Sequence, residues 1–236
     1  MLKREIKDLA GHKSLLVFLF FGILFLDAFG AIFPEFFNRR ITLFLPLPII
    51  LIHYLINAKN KNKLFLITVG LNLLGLVNFN TVYEAYDSLG VMFHTFAYFG
   101  YFIIVFKYHY EIIDLRNIFR YSLLIMTLVS VFVVLYSEGI KRMLIFYDTL
   151  LYIASVTLFM IFAVVLRVVR KTTASKFLMF SVISIFLSSC FQGYNLFVKP
   201  FGIALFFAII GLNLTHFFMV KFLLEQEREK KKILAV

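Results

Sequence analysis

The feature that most limits what this chain can fold into is a recurrence of apolar runs, each followed by a short polar flank. Eight such runs occur, over residues 15–33, 41–56, 64–79, 89–106, 119–136, 143–166, 177–197 and 201–223. A hydrocarbon core of about 30 Å takes roughly 20 apolar residues as a helix, and most of the runs approach that length. The second and third are shorter and fit with little tilt. In lipid every backbone N–H and C=O must be satisfied internally, so runs of this length form helices. The 236 residues are 62% hydrophobic and only 16% charged, with a mean hydropathy of +0.93, well above a soluble domain. The expectation is an all-α fold: a polytopic transmembrane bundle of eight helices over residues 15–223. A cytoplasmic segment, 1–14, precedes it and a basic tail, 224–236, follows. No internal repeat is evident, and the connections are too brief for a soluble domain.

The net charge of +11 invites a nucleic-acid reading, but the basic residues sit in flanks between apolar runs. Of the 24 Lys and Arg, 19 lie in the N-terminal segment, the even-numbered connections and the C-terminal tail; the odd-numbered connections carry the other five. That asymmetry places both termini in the cytoplasm and agrees with an even number of spans. Membrane lipids, not nucleic acid, are the expected partners. Tyr83, Tyr86, Tyr108, Tyr110 and Tyr136 fall near run ends, where Tyr serves as an interfacial anchor in a chain without Trp. The first run lacks a small-x-small cleavage pattern, so it reads as a span and not as a cleaved leader. The one cysteine, Cys190, permits no intramolecular disulfide. The tail Leu224–Val236 reads first as a solvated stop-transfer flank; a helical extension near anionic head groups and the docking of a soluble partner are the alternatives.

Polar residues within the runs fall on helical faces. In 177–197, Ser181, Ser184, Ser188, Gln192 and Asn195 are spaced by three or four and form one stripe. Such a stripe either bonds a neighbouring helix or lines a wet pocket. Asn72 and Gly75 share a face of the third run, with Asn78 at its outer end. Gly90, His94, Ala97 and Tyr101 share a face of the fourth. Asp148, Tyr152 and Ser155 share one of the sixth, and the eighth carries Asn213 and His216. The fifth run is nearly featureless and is expected to face lipid.

Threading the runs alternately puts Asp27, Asn78, His94, Asp148, Gln192 and Asn195 in the outer half of the membrane. Were they to converge, His94 would be a general base oriented by Asp27 or Asp148. Tyr98, Asn72, Ser184 and Ser188 would line the same cavity. Interfacial snorkelling of the two aspartates and a packing role for His94 are the structural alternatives. His53, His109 and His216 map near the cytoplasmic side, but no His-x-x-x-His pair or acidic ligand accompanies them, and no metal is expected. Phosphate loops, nucleophile elbows and dinucleotide fingerprints are absent, and no cofactor is expected.

The order of these features resembles the YhhN family of eight-pass membrane proteins, whose characterised members are lysoplasmalogenases. Phe44-Leu45-Pro46-Leu47 is similar to the family's Lys-Pro-Leu near the second span. Gly75-Leu76 stands where Gly-Asp is expected, and Phe93-His94 through Tyr98 resembles the Phe…His…Tyr segment. Ser188-Ser189 stands at Ser-Asp, and Thr215-His216 resembles the terminal Thr-Tyr. The resemblance implies an eight-helix fold in a bacterial inner membrane and a lysolipid ligand. The departures are Leu45 for the lysine and Leu76 and Ser189 for the two acids. Neither Leu76 nor Ser189 can act as a carboxylate base. The expectation is therefore retained fold and lipid or amphiphile binding with altered or silent catalysis. Hydrolysis of a lysolipid vinyl ether, or an anchoring role exercised through the tail, are the alternatives.

Overall fold

The computed structural model describes residues 2–37, 39–81, 87–109, 115–142 and 146–234. Among them the secondary structure is helical, in ten elements: α1 (Leu2–Ile32), α2 (Arg39–Thr42), α3 (Pro46–Asn57), α4 (Lys63–Thr81) and α5 (Asp87–His109). These are followed by α6 (Leu115–Leu135), α7 (Ser137–Arg142), α8 (Phe146–Val169), α9 (Thr173–Phe197) and α10 (Gly202–Leu234). Six helices are long and apolar enough to cross a membrane, in α1, α5, α6, α8, α9 and α10. The apolar helices Pro46–Asn57 and Lys63–Asn78 are shorter. The chain is thus a multi-pass helical membrane protein. Tyr83, Tyr86 and Tyr110, and the side chain of His109, lie outside the described residues.

Local chemistry sets several of the helix ends. α3 begins on Pro46, where a missing N–H costs nothing and the fixed φ suits the first turn. α9 opens on a reciprocal cap: Thr172 Oγ1 accepts from the Ser175 backbone N–H at 3.2 Å, and Ser175 Oγ accepts from Thr172 N–H at 3.1 Å. Its far end closes on Asn195, whose Oδ1 accepts from Phe201 N–H at 2.8 Å across the Lys199-Pro200 turn.

Packing between helices in lipid rests on close approach and ring contacts, since lipid tails are as apolar as the side chains. α9 and α10 form the tightest hairpin. At Gly211 a Cβ would stand 2.7 Å from the Ser184 carbonyl oxygen and 2.9 Å from Ser188 Cβ. Ser181 Oγ donates to the Thr215 carbonyl at 2.9 Å, and Ser188 Oγ to that of Ala208 at 2.7 Å. These two members of the serine stripe hold α9 to α10. α1 meets α10 through Phe20 and Phe217, stacked at 5.4 Å, and α5 meets α8 through Phe102 and Phe162 at 4.9 Å. α6 lies at the periphery: Phe119, Leu123, Leu124, Met126 and Val134 are exposed, as the featureless fifth run leads one to expect. Its Thr127 and Ser130 return their hydroxyls to their own helix, at Leu123 and Met126.

Contacts at the helix ends fall into two sets. At one end, Gly202 lies against the Ala31 carbonyl, Gly139 against Phe197, and Ser88 donates to Asp148 Oδ2 at 2.5 Å. At the other, Glu227 accepts from Lys59 and Asn60 N–H at 3.1 and 2.5 Å, and Glu229 from Ala174 N–H at 3.0 Å. Asn62 Nδ2 donates to the Tyr108 hydroxyl at 3.3 Å, and Lys230 Nζ stands 4.7 Å from the centre of the Tyr108 ring. The C-terminal extension of α10 therefore folds its acidic groups onto the α3–α4 connection and the start of α9.

Candidate functional site

A cluster of polar side chains occupies the middle of the bundle, built from one face of α5. His94, Tyr98 and Tyr101 are spaced by four and three, so they stack along that face. All three are buried, with Tyr98 and Tyr101 fully enclosed. Each meets a different neighbour.

His94 faces α4. Its Nδ1 lies 2.9 Å from Oδ1 of the fully buried Asn72, which in turn donates from Nδ2 to the Thr68 carbonyl at 3.2 Å. The imidazole lies flat against Gly75: a Cβ there would stand 2.8 Å from His94 Cδ2 and Nε2. Six residues up α5, Gly100 gives the same close approach to Thr68 Oγ1. These two glycines let α4 and α5 touch closely enough for the Asn72–His94 bond to form.

Tyr101 faces α10. Its hydroxyl lies 2.6 Å from Nδ1 of His216, which is 1% exposed. The Tyr101 ring also packs on Phe65 and Phe159, with centroids at 6.3 and 5.8 Å. The other imidazole nitrogen, His216 Nε2, is buried without a hydrogen-bond partner, and His94 is close enough to bear electrostatically on His216.

Tyr98 faces α8 and α9. Its ring meets that of Tyr152 edge-on at 5.6 Å, and the Tyr152 hydroxyl is within electrostatic reach of the hydroxyls of Tyr98 and Ser189. The Tyr152 hydroxyl is the polar neighbour of both, yet neither Tyr98 Oη nor Ser189 Oγ completes a close hydrogen bond, and both atoms are buried. Tyr152 and Ser189 are half-buried as residues, so the cluster extends toward the α8–α9 seam.

The other residues expected to share this site take different partners. Asp27 is fully buried near the end of α1. It accepts from Arg39 Nε and Thr42 Oγ1, each at 3.1 Å, and from Arg39 Nη2 at 3.4 Å. Asp148 accepts from Ser88 at the start of α8. Asn78 Nδ2 donates to the Leu74 carbonyl of its own helix at 2.8 Å, and Asn195 closes the α9–α10 turn. Ser188 is bonded to α10, Ser184 is buried in the same hairpin, and Gln192 is half-buried on α9. Of the predicted site residues, His94, Asn72 and Tyr98 belong to the central cluster. Tyr101, Tyr152 and Ser189 join them without having been singled out as site residues, and so does His216, which was weighed only as a metal ligand. The sequence held a sign of this in the four-and-three spacing of His94, Tyr98 and Tyr101, a polar and aromatic face too long to be incidental inside an apolar run. His53, grouped with His216 as a ligand candidate, lies beside Asn57, whose Nδ2 reaches its Nδ1 at 3.4 Å and its carbonyl at 2.7 Å.

No family model, no curated protein and no solved structure matches the chain. The chemistry of the cluster is that of neutral donors and acceptors: three phenols, a serine hydroxyl, an amide and two imidazoles. Such a set binds and orients a polar group, and the imidazoles alone among them exchange protons readily near neutral pH.

Proposed function

We propose that this multi-pass protein holds the polar end of a lipid or other amphiphile among α5, α8, α9 and α10, and that it binds this molecule without hydrolysing it. One observation carries the reading: Tyr98 Oη, Ser189 Oγ and His216 Nε2 are buried polar atoms without partners, supplied by three different helices. An unsatisfied buried polar group costs about 1–3 kcal/mol, and water is scarce at membrane depth. A polar group of a bound amphiphile offsets that cost. The silent chemistry follows from the partners. Nδ1 of His94 is taken up with the Asn72 amide, a group that accepts no proton, in place of the carboxylate expected from Asp27 or Asp148. Asp27 and Asp148 are engaged with Arg39 and Ser88. Leu76 and Ser189 stand where the YhhN-like pattern has acids.

In this reading the eight apolar helices α1, α3, α4, α5, α6, α8, α9 and α10 cross a bacterial inner membrane, with a YhhN-like arrangement and both termini cytoplasmic. The basic bias of the N-terminal segment, even-numbered connections and tail supports that orientation. The two sets of end contacts support the alternation of successive helices across the bundle.

The test is lipid mass spectrometry on the purified protein, followed by incubation with a lysoplasmalogen and assay of aldehyde release. A retained amphiphile without aldehyde is expected. Aldehyde release abolished by His94→Ala would replace binding with hydrolysis. Neither lipid nor release, together with a phenotype from deleting residues 225–236, would move the function to the tail.

A further inference from the structure

The chemistry around the unpartnered atoms narrows the class of molecule, given the reading above that the cluster is a binding site. Tyr98 and Ser189 each bring a hydroxyl able to donate. At His216 the Nδ1 is taken up with the Tyr101 hydroxyl at 2.6 Å. A phenol is the stronger acid of the two neutral groups, so we assign Tyr101 as donor, which leaves the imidazole proton on Nε2. Three donors from α5, α9 and α10 are then unmatched, and an oxygen acceptor is what complements them.

Fixed charge is missing from this set. Among the described residues, the ionisable groups that bear on Tyr98 are Tyr152 and Tyr101, and the one that bears on His216 is His94. Among the described basic side chains, Arg39 pairs with Asp27, Arg167 donates to the Thr172 carbonyl, and Lys176, Lys221 and Lys230 lie over Phe180, Phe217 and Tyr108; no basic group is among those that bear on Tyr98 or His216. A phosphate buried at membrane depth needs Arg or Lys to hold it. An uncharged carbonyl or alcohol needs only hydrogen bonds, and the rings of Tyr98, Tyr101 and Phe159 supply apolar walls beside it.

We infer that the group held between Tyr98, Ser189 and His216 is uncharged and presents an acceptor oxygen, as an ester, ketone or alcohol does, in place of a phosphorylated head group. The lysophospholipid implied by the YhhN resemblance is then a poor fit for this cluster, and a neutral lipid a good one.

Binding of three probes to the full-length protein in detergent tests this: 1-monooleoylglycerol, a decyl-substituted benzoquinone, and 1-oleoyl-lysophosphatidylethanolamine. We expect the monoacylglycerol or the quinone to bind at least about tenfold more tightly than the lysophospholipid. Which of the two does so identifies an ester or a ketone as the source of the oxygen. Ser189→Ala and Tyr98→Phe should each weaken that neutral probe by about tenfold, the worth of one buried hydrogen bond. Ser189→Ala removes only the hydroxyl of a half-buried residue, so it reports on the site even if Tyr98→Phe fails to fold. Equal or tighter binding of the lysophospholipid, sensitive to the same substitutions, would overturn the inference and leave the site standing. No binding by any probe, or binding indifferent to both substitutions, would overturn the site and the inference together.

Discussion

The hydroxyl of Tyr101 on α5 and Nδ1 of His216 on α10 lie 2.6 Å apart, 115 residues distant in sequence and sealed from solvent. This bond joins the two halves of the chain inside the apolar bundle. It also fixes the ring whose other nitrogen faces the proposed ligand. Hydrogen bonds between membrane helices contribute about 0.6 kcal/mol on average and up to about 1.7. We predict that Tyr101→Phe lowers stability by an amount in that range. Thermal unfolding of the purified protein, with a double-mutant cycle including His216→Phe, measures it. Additive losses from the two substitutions would show that the pair does not interact.

The approach of α9 to α10 depends on the missing side chain at position 211. Gly211→Ala would set a methyl 2.7 Å from the Ser184 carbonyl and 2.9 Å from Ser188 Cβ, where backbone must move. We predict a loss of about 1–3 kcal/mol, typical of overpacking. Gly22→Ala on α1 meets nothing within 4 Å and serves as the control, with little change in melting temperature.

Asp27 is a structural anchor in this arrangement. It holds Arg39 and Thr42, and so sets the path from α1 into α2. Asp27→Asn should destabilise the protein by about 1–3 kcal/mol, since it leaves the Arg39 guanidinium without its counter-charge in a half-buried site. Neutral-probe affinity per folded molecule should stay within about twofold of wild type. A selective loss of binding with unchanged melting would instead place Asp27 in the site.

The acidic side chains of the α10 extension act as caps for other elements. Glu229 accepts from the first turn of α9, a position where a carboxylate also meets the favourable end of the helix dipole. Glu227 closes the α3–α4 connection through two backbone N–H groups. Glu227→Ala should speed hydrogen exchange at the Lys59 and Asn60 amides and leave the central helices protected. Mass-spectrometric exchange resolves this, and unchanged rates at those amides would mean that the cap contributes nothing.

Orientation is open to direct labelling. In a Cys190→Ala background, single cysteines at Asn60 and Lys171 should react with a membrane-impermeant maleimide only after the inner face is exposed. Cysteines at Glu138 and Lys199 should react in intact cells. Labelling of Asn60 from outside would contradict the eight-span threading.

Much of the helical layout was legible in the sequence because apolar length and basic flanks act locally. The fourth run, 89–106, lies within α5, and the seventh, 177–197, ends where α9 ends. The serine stripe of α9 was also legible as a face, and Ser181 and Ser188 take the interhelical-bonding half of the two readings it allowed. The central cluster was legible only in part. His94, Asn72 and Tyr98 stood out as polar groups in apolar runs. Their partners depend on which helices touch, and helical periodicity gives a face without naming its neighbour. Tyr101 and His216 meet because α5 and α10 pack at one depth, a relationship no local pattern encodes. Asp27 shows the same limit: its place near the end of the first helix was readable, but Arg39, twelve residues on, turns back onto it through α2 and claims its carboxylate.

The most direct measurement is native mass spectrometry of the full-length protein released from mild detergent, comparing wild type with a Tyr98→Phe, Ser189→Ala double variant. We predict that wild type retains an uncharged amphiphile at one-to-one stoichiometry and that the folded variant releases it. A wild-type protein free of any such adduct, or an adduct held equally by the variant, would contradict the claim that these buried hydroxyls form a ligand site.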